Sequence, residues 1–356
     1  MTDPASKLFG PIQLGANRLA NRMVMAPMSR NRAAGEAAHA LTAKYYEQRA
    51  SAGLIVTEAS PISPQGRTNR NAPGIYSEAQ VAGWRLVTQA VHAKGSRIFL
   101  QLWHGGRVSH PSVQPAGALP IAPSAVCPQG RFQTQQGPEP FVAPRALALE
   151  EIPAVVAQFA EATHLARSAG FDRIEVHAAN GYLIDQFLRD GTNRRSDSYG
   201  GSPERRMRFL LEIVDAVAAA WHSSRVGVRL SPVNAYNDMT DSDPQRTFGE
   251  TARALGERKL AFLHVDETSS EPFDWAGFRR SYSGTYIANG GYDRERALAA
   301  IGSGHADLVS FGVLCLANPD LVERFRKKAP LNQADRATFY GGGERGYTDY
   351  PSLARV

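Results

Sequence analysis

RIEVHAANGYLIDQFL, residues 173–188, passes from a short β-branched apolar run through a polar turn into a segment of helical period. That is the pattern of one βα unit. Working outward, the unit recurs. The spacing predicts strands over Arg22 to Ala26, Leu54 to Glu58, Arg97 to Leu102, Arg173 to His177, Val226 to Leu230, Ala261 to Asp266, Thr285 to Asn289 and Asp307 to Phe311. Helical patterns occupy Leu41 to Ala52, Glu78 to Ala93, Glu150 to Ser168, Pro203 to Trp221 and Arg294 to Ile301, and Gly95 and Gly170 stand where helix C-caps belong. Eight strands with helices between them predict an α/β protein closed as a (β/α)8 TIM barrel rather than an open sheet. One connection departs from the rhythm. His104 to Ala148, between the third and fourth strands, is rich in Pro, Gly, Gln and Ser with little helical period, as expected of a lid, binding loop or small hairpin. After a barrel strand it would lie over the C-terminal mouth, where barrel active sites sit.

With 43% hydrophobic, 21% charged and 9% aromatic residues, the 356-residue chain can bury a large core, which excludes disorder, collagen and coiled coil. We read residues 1–356 as one barrel domain, with LFGPIQLGANRLA (8–20) as a short N-terminal cap and 104–148 as a capping excursion. The opening MTDPASKLFG lacks a basic start followed by an apolar run, and no stretch approaches the roughly 18–20 apolar residues needed to cross a bilayer. A cytoplasmic protein without membrane partners is expected, as a monomer or a homo-oligomer. Two cysteines, Cys127 and Cys315, without CxxC spacing argue against a disulfide framework or a thiolate metal site. No His/Asp/Glu cluster has metal-ligand spacing and GxSxG is absent, so no metal and no serine-hydrolase chemistry are expected. The net charge of +6 comes from interspersed residues, unlike the concentrated stripe of a nucleic-acid surface. It suits phosphorylated small-molecule ligands.

Polar residues at the C-terminal ends of barrel strands point into the mouth. Here they are Ser29, Gln101, His104, His177, Asn180, Tyr182, Arg229, Asp266 and Glu267, with Gly290, Gly291 and Gly312. A guanidinium buried among apolar residues is costly unless it meets an anion or strong acceptors. Arg229 therefore reads either as one half of a structural ion pair or, with Gln101, as a partner for a ring system with carbonyl and electron-rich nitrogen edges. A lone His is more often structural, but His177, Asn180 and Tyr182 together place two donors beside one oxygen and a phenolic proton nearby. Two donors on a carbonyl or nitro oxygen stabilise the charge that builds when hydride attacks the β-carbon, and a phenol can protonate the α-carbon. Glycines at Asn289-Gly290-Gly291 and Phe311-Gly312-Val313, after strands seven and eight, let backbone approach a phosphate and favour a bound mononucleotide. GGGERG at 341–346 fits GxGxxG, but no strand precedes it, and it reads as a turn.

These motifs resemble the Old Yellow Enzyme family of FMN-dependent ene-reductases over essentially the whole chain. They are LFGPIQLG, MAPMSR (25–30), YYEQRASAGLIVTEAS (45–60), NAPGIYS (71–77), LQLWHGGRVSH (100–110), HAANGYLIDQFL (177–188), NRRSDSYGGS (193–202), GVRLSP (227–232), ANPDLVER (317–324) and FYGGG (339–343), in that order. The resemblance implies a TIM barrel with FMN at its mouth, NADH or NADPH as reductant, and an activated alkene as oxidant. It implies that Pro27, Met28 and Ser29 contact the flavin, with Ser29 bonding its O4 edge, and that Ala59 lies against it. Gln101 would pair with the pyrimidine edge, Arg229 would sit near N1, and Asn289, Gly290, Gly291, Phe311, Gly312 and Val313 would hold the phosphate end. His177 and Asn180 would anchor the substrate oxygen while Tyr182 donates the proton. Trp103 and Tyr340 would lie near flavin and substrate, and Phe339 beside the cofactor. Two positions depart from the family: Val313 where an Arg usually grips the phosphate, and Asn69 where many members line the substrate pocket with Tyr. A flavin-binding sensor or carrier would not need the intact His177, Asn180 and Tyr182. A cofactor-free barrel aldolase would need a Lys at a strand end, which is absent.

Overall fold

The structure is a computed structural model and describes residues 7–15, 17–269 and 271–353. Eight parallel strands close into a barrel: β1 (Met23–Met25), β2 (Leu54–Pro61), β3 (Ile98–Trp103), β4 (Arg173–His177), β5 (Val226–Leu230), β6 (Phe262–Asp266), β7 (Tyr286–Asn289) and β8 (Leu308–Phe311), with β8 pairing β1. The eight expected strands are these eight. Each alternates between two faces. The outward set, including Leu100, Val176, Val228, Val265 and Val309, packs against the helices. The inward set forms tiers.

Lowest is an apolar tier of Val24, Leu54, Val56, Phe99, Phe262, Ile287 and Leu308, closed from below by Leu14 and Leu19. Those two leucines come from a hairpin, Ile12–Leu14 paired with Asn17–Leu19, which is the expected N-terminal cap. Arg173, at the foot of β4, pins the hairpin: its guanidinium donates to Leu14 O (2.6 Å) and Asn17 Oδ1 (2.9 Å). Above the apolar tier the inward positions turn polar, with Gln101 on β3 beside Glu175 on β4, and Arg229 on β5 beside His264 on β6. The core therefore sits in the lower barrel and the helix layer, and the upper barrel is free for chemistry.

The helices are α1 (Ala40–Gln48), α2 (Glu78–Ala93), α3 (Ile152–Ser168), α4 (Leu183–Leu188), α5 (Pro203–Arg206), α6 (Arg208–Trp221), α7 (Pro244–Glu257), α8 (Trp275–Arg280), α9 (Arg294–Ser303), α10 (Val313–Ala317) and α11 (Leu321–Lys327). Gly95 and Gly170 follow α2 and α3 with positive φ, as expected of C-caps. The run expected over Leu41 to Ala52 stops at Gln48 with Arg49 as its C-cap, whose guanidinium donates to the carbonyls of Tyr45, Cys315 and Leu316. The run over Pro203 to Trp221 divides at Met207. Glu150 and Glu151 form a 3-10 turn ahead of α3.

Within 104–148, Arg131–Thr134 pairs antiparallel with Gly137–Pro140, and Ile121–Ala122 pairs with Arg145–Ala146. The segment is tied down by Arg107, which donates to Val126 O (3.1 Å) and to Asn237 O (3.0 Å) in the loop after β5. Residues 341–346 form bends and turns held by Gly341 N donating to Arg30 O (2.9 Å).

Candidate active site

One cavity of about 1050 Å³ opens at the C-terminal end of the barrel, at the upper end of the size range of ligand sites. Its floor and walls include Pro27, Met28, Ser29, Ala59, Gln101, Trp103, His177, Asn180 and Tyr182, with Asn69, Val313, Phe339 and Tyr340 toward its opening. Thirteen residues from the sequence analysis thus meet in one space. Arg229, Asn289, Gly290, Gly291, Phe311 and Gly312 do not line it. Arg229 lies buried in the polar tier. The Phe311 side chain turns outward against Phe325 in the helix layer (ring centroids 5.3 Å), so the phosphate contact expected there could come only from its backbone.

The turn after β4 is built by its own motif. Asn180 and Gly181 both have positive φ (58° and 76°), a conformation that Gly adopts freely and Asn tolerates. The Asp185 carboxylate accepts from Gly181 N (2.8 Å), and Ser231 Oγ accepts from Asn180 N (2.7 Å). Asp185 is itself paired with Arg189 (2.9 Å). The result lifts Asn180 to the cavity with its Oδ1 buried and unpartnered, beside His177, whose Nδ1 is equally unpartnered. Burial holds the His177 imidazole well below its ordinary pKa, reinforced by the Arg229 charge. It is therefore neutral, with one ring N–H to donate. Tyr182 follows, its ring edge-on to Trp103 (4.9 Å) and His177 (5.1 Å). Burial, with Tyr236 close by, raises the phenol above its ordinary pKa, so it keeps its proton throughout the physiological range.

Below them, Gln101 Nε2 donates to Glu175 Oε2 (2.6 Å), whose Oε1 lies 2.7 Å from His264 Nδ1, while His264 Nε2 lies 2.7 Å from Ser310 Oγ. The Glu175 carboxyl takes the Gln101 amide by its nitrogen and leaves Gln101 Oε1 as an acceptor for the cavity that Gln101 lines. Arg229 Nη2 donates to Asn289 Oδ1 (2.9 Å) and stands 3.8 Å from Asp266, but Nε and Nη1 are buried without a partner. Two charged donors in that state call for an electron-rich group above them. Gly290 has φ 115°, and a Cβ there would press on the backbone N of Thr268. This donor set fits FMN: a Gln101 acceptor and Arg229 donors for the pyrimidine side, the small Ala59 and Ser29 beside the ring, and glycine backbone after β7 and β8 for the phosphate.

Sequence reasoning did not pick out Glu175, His264 and Ser310, although inward parity along the strands marks all three. It also missed the rim residues Arg70, Gln133 and Asn237, which sit in connections between barrel strands and carry no motif. His104, expected among the strand-end residues, does not line the cavity: it is buried, its Nδ1 accepts from Gly106 N (3.1 Å), its Nε2 has no partner, and burial pushes it down to about 3. Among the described residues no His/Cys/Asp/Glu group could hold a metal ion. No described helix is long and apolar enough to cross a membrane.

The NADH:flavin oxidoreductase / NADH oxidase family model matches residues 7–332. The chain belongs to the Old Yellow Enzyme family. It is thus an FMN-containing, NAD(P)H-dependent oxidoreductase of the ene-reductase type. It is 46% identical to a probable flavin mononucleotide-dependent alkene reductase of Leishmania infantum, covering 97% of each chain. Identity to 12-oxophytodienoate reductase 7 of Oryza sativa subsp. japonica is 44%, over 98% of this chain and 95% of the relative. Morphinone reductase solved with tetrahydroNAD superposes with a TM-score of 0.94 at 49% identity, covering 97% of each chain. The Old Yellow Enzyme homologue of Zymomonas mobilis gives a TM-score of 0.95 at 43% identity, covering 97% of this chain and 99% of that one.

Proposed function

We propose that this cavity reduces alkenes conjugated to a carbonyl, nitro or imide group, with NADH or NADPH as reductant. One observation carries the reading: the buried His177 ring and the half-buried Asn180 amide, with His177 Nδ1 and Asn180 Oδ1 lacking partners, share the cavity with a phenol that burial keeps protonated. FMN, when bound, supplies the hydride chemistry that links nicotinamide to the β-carbon. Everything else falls to the chain. A neutral His177 and the Asn180 amide donate to the activating oxygen, which draws electrons from the alkene and steadies the charge that develops there. Tyr182 delivers the proton from Oη to the α-carbon. Gln101 and Arg229 hold and polarise the pyrimidine side of the ring. Ser29 offers its hydroxyl to the same ring system, and Trp103 fixes the Tyr182 ring from the side. Nicotinamide and alkene use the same cavity in turn, which predicts ping-pong kinetics.

The test is the visible spectrum of the purified protein, followed by anaerobic NADPH and then 2-cyclohexenone. The expected result is a flavin band that bleaches with NADPH and returns with the enone. A protein that stays colourless after incubation with excess FMN, or a band that the enone leaves bleached, would overturn the reading.

A further inference from the structure

Arg70, between β2 and α2, is the one side chain carrying a full charge among the described residues that line the cavity. His177 is held neutral, and no Asp, Glu or Lys lines the space. The Arg70 side chain is exposed at the cavity's opening, where Nη2 donates to Ser112 O (2.6 Å) of the 104–148 segment. That tether leaves Nε and Nη1 available, and Arg70 forms no ion pair among the described residues. The same lining offers amides rather than acids: Asn69, Asn71 and, from the hairpin, Gln133 and Gln135. A wall with one steered guanidinium, several amide donors and no carboxylate attracts anions and repels none. Arg70 stands after β2, apart from the Gly290–Gly291 and Gly312 backbone after β7 and β8 that suits the cofactor phosphate.

We propose that Arg70 recognises an oxyanion on the substrate, so that the preferred alkenes carry a carboxylate or similar group remote from the double bond. The inference rests on the alkene-reductase reading and names its substrate class. Planar guanidinium suits a carboxylate in a two-pronged pairing. The same chemistry is present in the 2′-phosphate of NADPH, and the test separates the two sources.

The experiment is steady-state kinetics of the holoenzyme with two enones that differ only at the remote end, free carboxylate against methyl ester. Wild type, Arg70→Gln and Arg70→Lys are each assayed with NADH and with NADPH. Wild type is expected to prefer the acid. Arg70→Gln should lower the acid-to-ester ratio of kcat/KM roughly tenfold, through the KM of the acid, as for the loss of a charge-assisted hydrogen bond. Arg70→Lys should restore part of it, and about 0.5 M salt should compress the wild-type ratio. Acid and ester changing in parallel would overturn the proposal. So would an unchanged ratio with a loss confined to NADPH, which would give the oxyanion to the reductant. If wild type reduces neither enone, the alkene-reductase reading itself fails.

Discussion

Replacing Arg229 with Met removes a buried guanidinium while keeping most of its length. In the chain alone, the guanidinium makes one hydrogen bond, Nη2 to Asn289 Oδ1 (2.9 Å), and a 3.8 Å approach to Asp266. Its Nε and Nη1 are buried and unpaired. If those two donors serve the flavin, each contributes as a hydrogen bond to a charged group, about 1.5–3 kcal/mol. FMN affinity should then fall by about 3–6 kcal/mol, or roughly 10²- to 10⁴-fold in Kd. The apoprotein should barely notice. Asp266 keeps Thr268 N (3.0 Å) and Asn234 Nδ2 (3.3 Å) as donors, and the lost bond to Asn289 is offset by the removal of two unpaired buried donors. Unfolding free energy of the apoprotein should shift by no more than about 1 kcal/mol. Quenching of FMN fluorescence on titration with apoprotein gives the affinity, and urea denaturation gives the stability. An FMN Kd within threefold of wild type, together with an apoprotein weakened by several kcal/mol, would refute the reasoning and leave Arg229 a structural ion-pair residue.

Tyr182→Phe keeps the ring contacts with Trp103 and His177 and deletes the proton; enone-dependent reoxidation in stopped flow should slow by about 10²- to 10³-fold, with reduction by NADPH little changed. Val313, 48% exposed at the start of α10 and part of the cavity's opening, has room there for a longer side chain. Val313→Arg should therefore tighten FMN about tenfold by equilibrium dialysis, and no gain would mean that the phosphate lies elsewhere. Burial pushes the Glu58 carboxyl up to about 7 from its ordinary 4.5. The folded state then holds that proton more tightly than the unfolded one, so its contribution is complete below about pH 4.5 and is lost as pH rises to about 7, up to about 3 kcal/mol. Glu58→Gln should flatten this part of the stability curve in urea titrations, and parallel curves for the two proteins would show that Glu58 is not responsible.

The barrel was legible because each strand is a short apolar run with β-branched residues, and a parallel sheet covered on both faces needs such runs. What the runs hide is direction. Glu175 in RIEVH and His264 in FLHVD look like interruptions of an apolar strand until their parity is followed: Glu175 shares a face with His177, and His264 with Asp266. Helix α7 escaped notice because its buried face is only partly apolar: Phe248, Ala252 and Leu255 share it with Thr247, Gly249 and Thr251. The catalytic group was readable because His177, Asn180 and Tyr182 come from one turn. Arg70, Gln133 and Asn237 come from three separate connections between barrel strands, and only the closure of the barrel brings them to one opening. Phe311 shows the opposite failure: its position after an inward Ser310 turns its ring to the helices, a matter of one residue in register.

Where the two hydrogens go tests the central claim most directly. 2-Cyclohexenone is reduced once with NADPH carrying deuterium at the transferable C4 position in ordinary water, and once with unlabelled NADPH in D₂O. The account predicts nicotinamide deuterium only at the β-carbon, and stable solvent deuterium at the α-carbon of the saturated ketone. Nicotinamide deuterium at the carbonyl carbon, with the alkene intact, would contradict it, because His177 and Asn180 would then be presenting the oxygen for a different reaction.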